Sequence, residues 1–192
     1  MHLIILEKKQ CSLREFIEFW SQLYDEGKYP DSIYEANLNK NGKLQKDNII
    51  PLLEWKNGQP LSKAKEKIAL KIINNLQNFN NFRTLKIVNQ QDFENFWELV
   101  SNIVKTGLVW KVYLLHIARP NDYPIVDQHV LRAYHYLTNG KITEPPQTLQ
   151  TYNSYKNFFF KIVEESGKKP REVDKALMTF GQFLASQFSE PI

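Results

Sequence analysis

From Leu108 to Ala118 the chain reads Leu-Val-Trp-Lys-Val-Tyr-Leu-Leu-His-Ile-Ala, with Lys111 as its only charged side chain. A helix this apolar has almost no face to give to water, so other helices must be wrapped around it. Thr106-Gly107 breaks the preceding helical pattern immediately before it. Tyr123-Pro124-Ile125-Val126-Asp127-Gln128-His129-Val130-Leu131-Arg132 follows shortly after. Pro124 fixes an extended entry and holds its predecessor out of the helical region. Asp127 then occupies an N-cap position ahead of Val130, Leu131, Tyr134 and Leu137, which repeat with helical spacing until Gly140. One carboxylate is thereby pinned at a helix mouth, next to a buried segment, where the dipole and backbone amides favour its ionised form.

The remaining segments also read as helices. Ser12 and Glu15 form a capping box for a helix whose apolar face is Phe16, Phe19, Trp20 and Leu23. Lys28 to Asn48 reads as loop with one short helix, and Asp47 to Trp55 as another short helix closed by Asn57-Gly58. Ser62 opens a long helix to about Asn78, with Ala64, Ile68, Ile72, Ile73 and Leu76 inward and Lys63, Lys65, Lys67 and Lys71 on a solvated face. Gln91 to Val104 is helical. Pro145-Pro146 mark a loop before a helix from Leu149 to Glu165. Pro170 opens a last helix at its first position, running to about Gln187. Met1 to Leu6 is a short strand or a packed tail. No alternating strands and no repeats occur. The expected class is all-α, eight to ten helices in one compact unit over residues 1–192.

Composition narrows the chemistry. With 42% apolar and 13% aromatic residues, the chain can bury a core and is not a disordered polymer. A net charge of +4 permits an anionic partner without requiring one. A lone cysteine, Cys11, excludes internal disulfides and cysteine-held iron–sulfur clusters. Four scattered histidines show no zinc spacing, so neither metal nor cofactor is expected. No apolar run approaches a membrane span and no signal peptide opens the chain, which points to a soluble cytoplasmic protein.

The order helix, tight turn at Gly107, buried helix, proline loop, Asp-capped helix resembles the helix-hairpin-helix DNA glycosylases, the superfamily that includes endonuclease III. Val126-Asp127-Gln128-His129-Val130-Leu131-Arg132 is similar to that family's aspartate motif, Val-Asp-Thr-His-Val-x-Arg. The 20-residue step from Gly107 to Asp127 also fits the family's hairpin-to-aspartate spacing. Val173 to Gly181 resembles its late helix, which packs behind the hairpin. The likeness covers roughly residues 90 to 185. It implies a two-lobed helical fold with a degenerate hairpin: Lys105 and Val104 stand where the family has a glycine and a proline, and only Gly107 remains.

What the resemblance implies for function is hydrolysis of an N-glycosidic bond to a modified or mispaired DNA base, with Asp127 stabilising the oxocarbenium ion and positioning water. In bifunctional members a nucleophilic lysine stands two residues after the second glycine; here that residue is Val109. Lys111 is turned a further ~200° around the helix, away from Asp127, so a monofunctional reaction is implied. Lys105 and Gly107, with Lys168 and Lys169 in the basic run Lys168-Lys169-Pro170-Arg171, are the candidate phosphate contacts. Trp20, Tyr24, Tyr34 and Trp55 are the candidate walls for a flipped base.

Plainer readings stand beside these. Asp127 is equally an N-cap, the lysine run a solvated loop, the four aromatics core, and His116 and His129 structural. Arg132 should pair with a nearby carboxylate. The function is then one of three: DNA base excision; the same chemistry on free nucleosides or RNA; or a catalytically silent nucleic-acid or partner-binding module of the same fold.

Overall fold

The computed structural model describes residues 11–38, 42–105 and 107–188, and all regular structure among them is helical. The Met1 to Leu6 run and Thr106 lie outside the described residues. Helix α1 (Leu13–Gln22) opens on the predicted capping box: Glu15 N–H donates to Ser12 Oγ at 3.2 Å, and Ser12 N–H to Glu15 Oε2 at 2.8 Å. Its burial differs from expectation. Phe19 and Leu23 are 59% and 55% exposed, while Leu13, Phe16, Ile17 and Trp20 face the core. The i, i+3, i+4, i+7 stripe is therefore centred on Ile17, because α1 is covered from only one side.

Helix α2 (Asp31–Leu38) is the short helix expected within 28–48, and α3 (Lys46–Asn57) follows it. The long helix expected from Ser62 is in fact two, α4 (Lys63–Asn74) and α5 (Leu76–Thr84). Asn75 makes the break. Its side-chain amide donates to Lys71 O at 2.8 Å and its backbone N–H reaches Ile72 O at 2.9 Å, a tight closure that ends the helix. Helix α4 buries Ala69 and Ile72, and Ala64 is exposed rather than inward. Helices α6 (Gln90–Ile103), α7 (Leu108–Ala118), α8 (Gln128–Asn139), α9 (Leu149–Ser166) and α10 (Pro170–Phe188) complete the chain.

The main packing partners divide these helices into two groups. Helices α2 to α7 pack among themselves, and α1, α8, α9 and α10 among themselves. The buried side chains of both groups form one continuous cluster. Helix α7 is its axis: every residue from Val112 to Ala118 is buried, as an all-apolar helix requires. Helix α10 packs chiefly on α8 and α1. Gly181 permits that approach, since a Cβ there would lie 1.9 Å from the His129 carbonyl oxygen. The two groups meet where α8 begins.

Candidate active site

Asp127 reaches its position on an extended strap, Tyr123 to Val126, whose carbonyls have no helix or sheet to satisfy them. Buried polar backbone must be paired, and here four successive carbonyls each take a side-chain donor. His116 Nδ1 lies 2.7 Å from Tyr123 O, Tyr152 Oη 3.2 Å from Pro124 O, Tyr155 Oη 3.1 Å from Ile125 O and Lys56 Nζ 3.2 Å from Val126 O. These donors come from α7, α9 and α3, so both helix groups grip the strap. Such a scaffold holds its end to a fixed geometry, the condition a preorganised site needs.

At that end the Asp127 side chain is split between two tasks. Oδ1 accepts from Val130 N–H at 2.9 Å, the predicted N-cap bond. Oδ2 accepts no hydrogen bond among the described residues; Lys56 Nζ lies 3.9 Å from it, and the side chain is 19% exposed. The carboxylate borders two cavities. One is open, 280 Å³, and has Val109, Trp110, Lys65 and Gln128 on its walls. The other is a 30 Å³ chamber between Asp127 and the Arg171–Asp174 pair, with room for a water or two. Tyr29, Lys56 and Met178 line both.

The sequence-based candidates distribute unevenly. Val109 faces the open cavity, and Lys111 is turned to the Trp97 ring, 5.7 Å from its centroid, as helical geometry required. Lys105 and Gly107 are both exposed; Gly107 has φ +87° and open space where a Cβ would stand. Lys168 is ion-paired to Glu18 at 2.7 Å and Glu172 at 3.6 Å, so its charge is spent inside the protein. Lys169 is exposed at the rim of a separate cavity. Of the four aromatics, Tyr24 and Trp55 border the chamber, but both are buried. Tyr34 is buried and bonded to His116 Nε2 at 2.6 Å, and Trp20 packs on Phe180 and Phe183, away from Asp127. The aromatic rings at the open cavity are Trp110 and Tyr29 instead.

Two lysines border the open cavity, and both spend N–H groups within the protein. Lys56 donates to Val126 O; Lys65 donates to Asn57 Oδ1 and lies 4.8 Å above the Trp110 ring. His129 accepts from Arg132 at Nδ1, 3.1 Å away, and burial holds its pKa below the ordinary 6.5, with Arg132 adding to the effect. Arg132 pairs with Glu144, as expected of a half-buried arginine.

Behind the chamber lies a buried charge cluster that the sequence did not reveal. Arg171 bonds to Asp31 and Asp174 and sits within 4.8 to 5.1 Å of the Tyr24, Tyr34 and Trp55 rings. Burial opposes its charge, but Asp174, Tyr24 and Asp31 outweigh that and raise its pKa. Lys175 closes the cluster on Asp31 and Glu26. These contacts tie α10 to α2 and to the loop after α1. The isolated signal for this was Arg171, read only as one member of a basic run.

Among the described residues no helix is long and apolar enough to cross a membrane, and no three His, Cys, Asp or Glu residues are grouped to hold a metal. No family model, no curated protein and no solved structure matches this chain.

Proposed function

We propose that the protein is a monofunctional N-glycosidic hydrolase acting on a modified or mispaired base in DNA, with Asp127 as its catalytic residue. The observation that carries this reading is the divided carboxylate: one oxygen is locked into the α8 cap, the other accepts no hydrogen bond among the described residues and has only Lys56 at 3.9 Å, and the side chain borders a 280 Å³ cavity. The bond from sugar C1′ to the base nitrogen breaks, and the base leaves with the electron pair. Positive charge then spreads over C1′ and the ring oxygen, and Asp127 Oδ2 stabilises it. Water attacks C1′; its proton passes to Asp127 and on to solvent, while the departing base nitrogen takes a proton from solvent.

Trp110, with Lys65 over one face of its ring, and Tyr29 are the aromatic rings at the cavity against which a flipped base would pack. Val109 supplies no amine, and the two lysines of the cavity, Lys56 and Lys65, donate to Val126 O and Asn57 Oδ1; on this reading the product is an abasic site in an intact strand. Lys105 and Gly107 are both exposed, Gly107 two residues before Val109, and we assign them the phosphate contact.

One observation favours the silent-module reading: Lys56, 3.9 Å from Oδ2, already offers the carboxylate a cation. Release of free base from a panel of modified and mispaired oligonucleotides decides between them. Wild type should release base and leave an alkali-labile strand, and Asp127→Asn should abolish release while remaining folded. If both proteins are folded and inert across the panel, the enzymatic reading is lost. Activity confined to nucleosides or RNA, with duplex binding insensitive to salt, would reassign the substrate.

A further inference from the structure

On the far side of the Arg171–Asp174 pair from Asp127 lies a second cavity of 220 Å³ that the glycosidic reading does not use. Phe159, Phe160 and Ile125 form its apolar walls, and Asp174 forms part of its floor. Asp174 is only 7% exposed. Its Oδ2 accepts from Arg171, whereas Oδ1 accepts no hydrogen bond among the described residues. Burial pushes this carboxyl up, against the pull of Arg171 and Lys56. Oδ1 is not wholly sealed, since the fully buried side-chain atoms without a partner among the described residues are Trp55 Nε1 and Thr179 Oγ1, and the polar groups beside it in this cavity supply it no donor. His116 Nδ1 donates to Tyr123 O, which leaves Nε2 to accept from the Tyr34 hydroxyl. Arg171 is already divided between Asp31, Asp174 and Tyr24. The floor therefore offers an acceptor and no free donor.

We propose that this cavity binds a small, neutral, amino-substituted heteroaromatic ring whose N–H edge meets Asp174 and which packs against the mutually perpendicular rings of Phe159 and Phe160. A full cation is disfavoured, because the Arg171 guanidinium already neutralises the carboxylate from its other side. A purely apolar ring is disfavoured as well, because it leaves Oδ1 unpaired. Asn121, Glu35 and Lys169 at the exposed rim suit a polar outer edge of either hydrogen-bonding sense.

The test uses 2-aminopurine, whose fluorescence is quenched on stacking, titrated into the full-length protein with unsubstituted purine as competitor. Saturable quenching is expected, with purine bound about tenfold more weakly for want of the bond to a charged acceptor. Phe160→Ala, at a half-buried wall residue outside the ion cluster, should weaken binding several-fold, and Asp174→Asn should remove the preference for the amino compound. Trp110→Ala, in the Asp127 cavity, should leave binding unchanged. Absence of saturable quenching, equal affinity for purine, or sensitivity to Trp110→Ala in place of Phe160→Ala would overturn the proposal. None of these outcomes depends on base-release activity, so the two readings stand or fall separately.

Discussion

Gly181→Ala should unfold the protein more readily, although alanine is the better helix former. Within a helix the exchange ordinarily stabilises by about 0.5–1 kcal/mol. At this position the added Cβ would lie 1.9 Å from the His129 carbonyl oxygen and 2.5 Å from its carbon, whereas ordinary contact begins at 3.4 Å. The shortfall of 1.5 Å (3.4 − 1.9) must be met by moving α8 away from α10, since the obstacle is backbone and no side chain can rotate aside. That separation loosens a seam holding Val130, Leu131, Val173, Leu177 and Phe180. Overpacking of a core costs about 1–3 kcal/mol, and a backbone obstacle belongs at the upper end. A net loss of about 2 kcal/mol follows after the propensity gain is subtracted. Urea unfolding should show a lower midpoint at unchanged slope, and the melting temperature should fall by roughly 4–8 °C at the ~2–4 °C per kcal/mol typical of this size. A variant as stable as wild type would refute the close α8–α10 contact, and with it the placement of the first turn after Asp127.

Arg171→Met removes one side of a buried charge pair and should destabilise by about 3–5 kcal/mol, because Asp174 and Asp31 remain in place; restoration by Asp174→Leu in the double variant, read by urea unfolding, would support that cause. Lys56→Met strips Val126 O of its donor and should cost about 1–3 kcal/mol in the same assay, while leaving the Asp127 cap bond to Val130 detectable by amide exchange. The folded-state pKa of His129 is below its ordinary 6.5, so the unfolded chain takes up the proton first. Stability is then full above 6.5 and falls as pH drops through 6.5 toward the folded value. His129→Gln should flatten that part of the pH profile of the melting temperature; an unchanged slope would exclude this histidine as its source.

Helical punctuation was readable residue by residue. Ser12–Glu15, Asp127, Gly140 and Pro170 act where local chemistry places them, because a cap or a stop needs only its immediate neighbours. Asn75 was missed because an asparagine inside an apolar pattern looks harmless until its amide takes the carbonyl four residues back. The α1 stripe was misjudged for a different reason: the apolar set of α1 admits two faces, and only the position of α10 selects between them.

The aspartate was legible, whereas its surroundings were not, and the difference is physical. A cap is a relation over three residues; a cavity wall is a relation over the whole fold. Lys56 lies 71 positions before Asp127 in the chain, and Lys65 shares a periodic face with three solvated lysines, yet both line the same space. Arg171 is harder still, since a basic run at a helix start opposes the dipole and suggests an anion from outside. The structure answers that the anions are internal: Asp31, Asp174, Glu18 and Glu172 take the charges of Arg171 and Lys168. With those charges spent, little positive surface is left at the start of α10 to hold a phosphate. Of the residues singled out for a phosphate contact, that leaves the exposed Lys169 and, close to Val109 and Trp110 in the chain, the exposed Lys105 and Gly107.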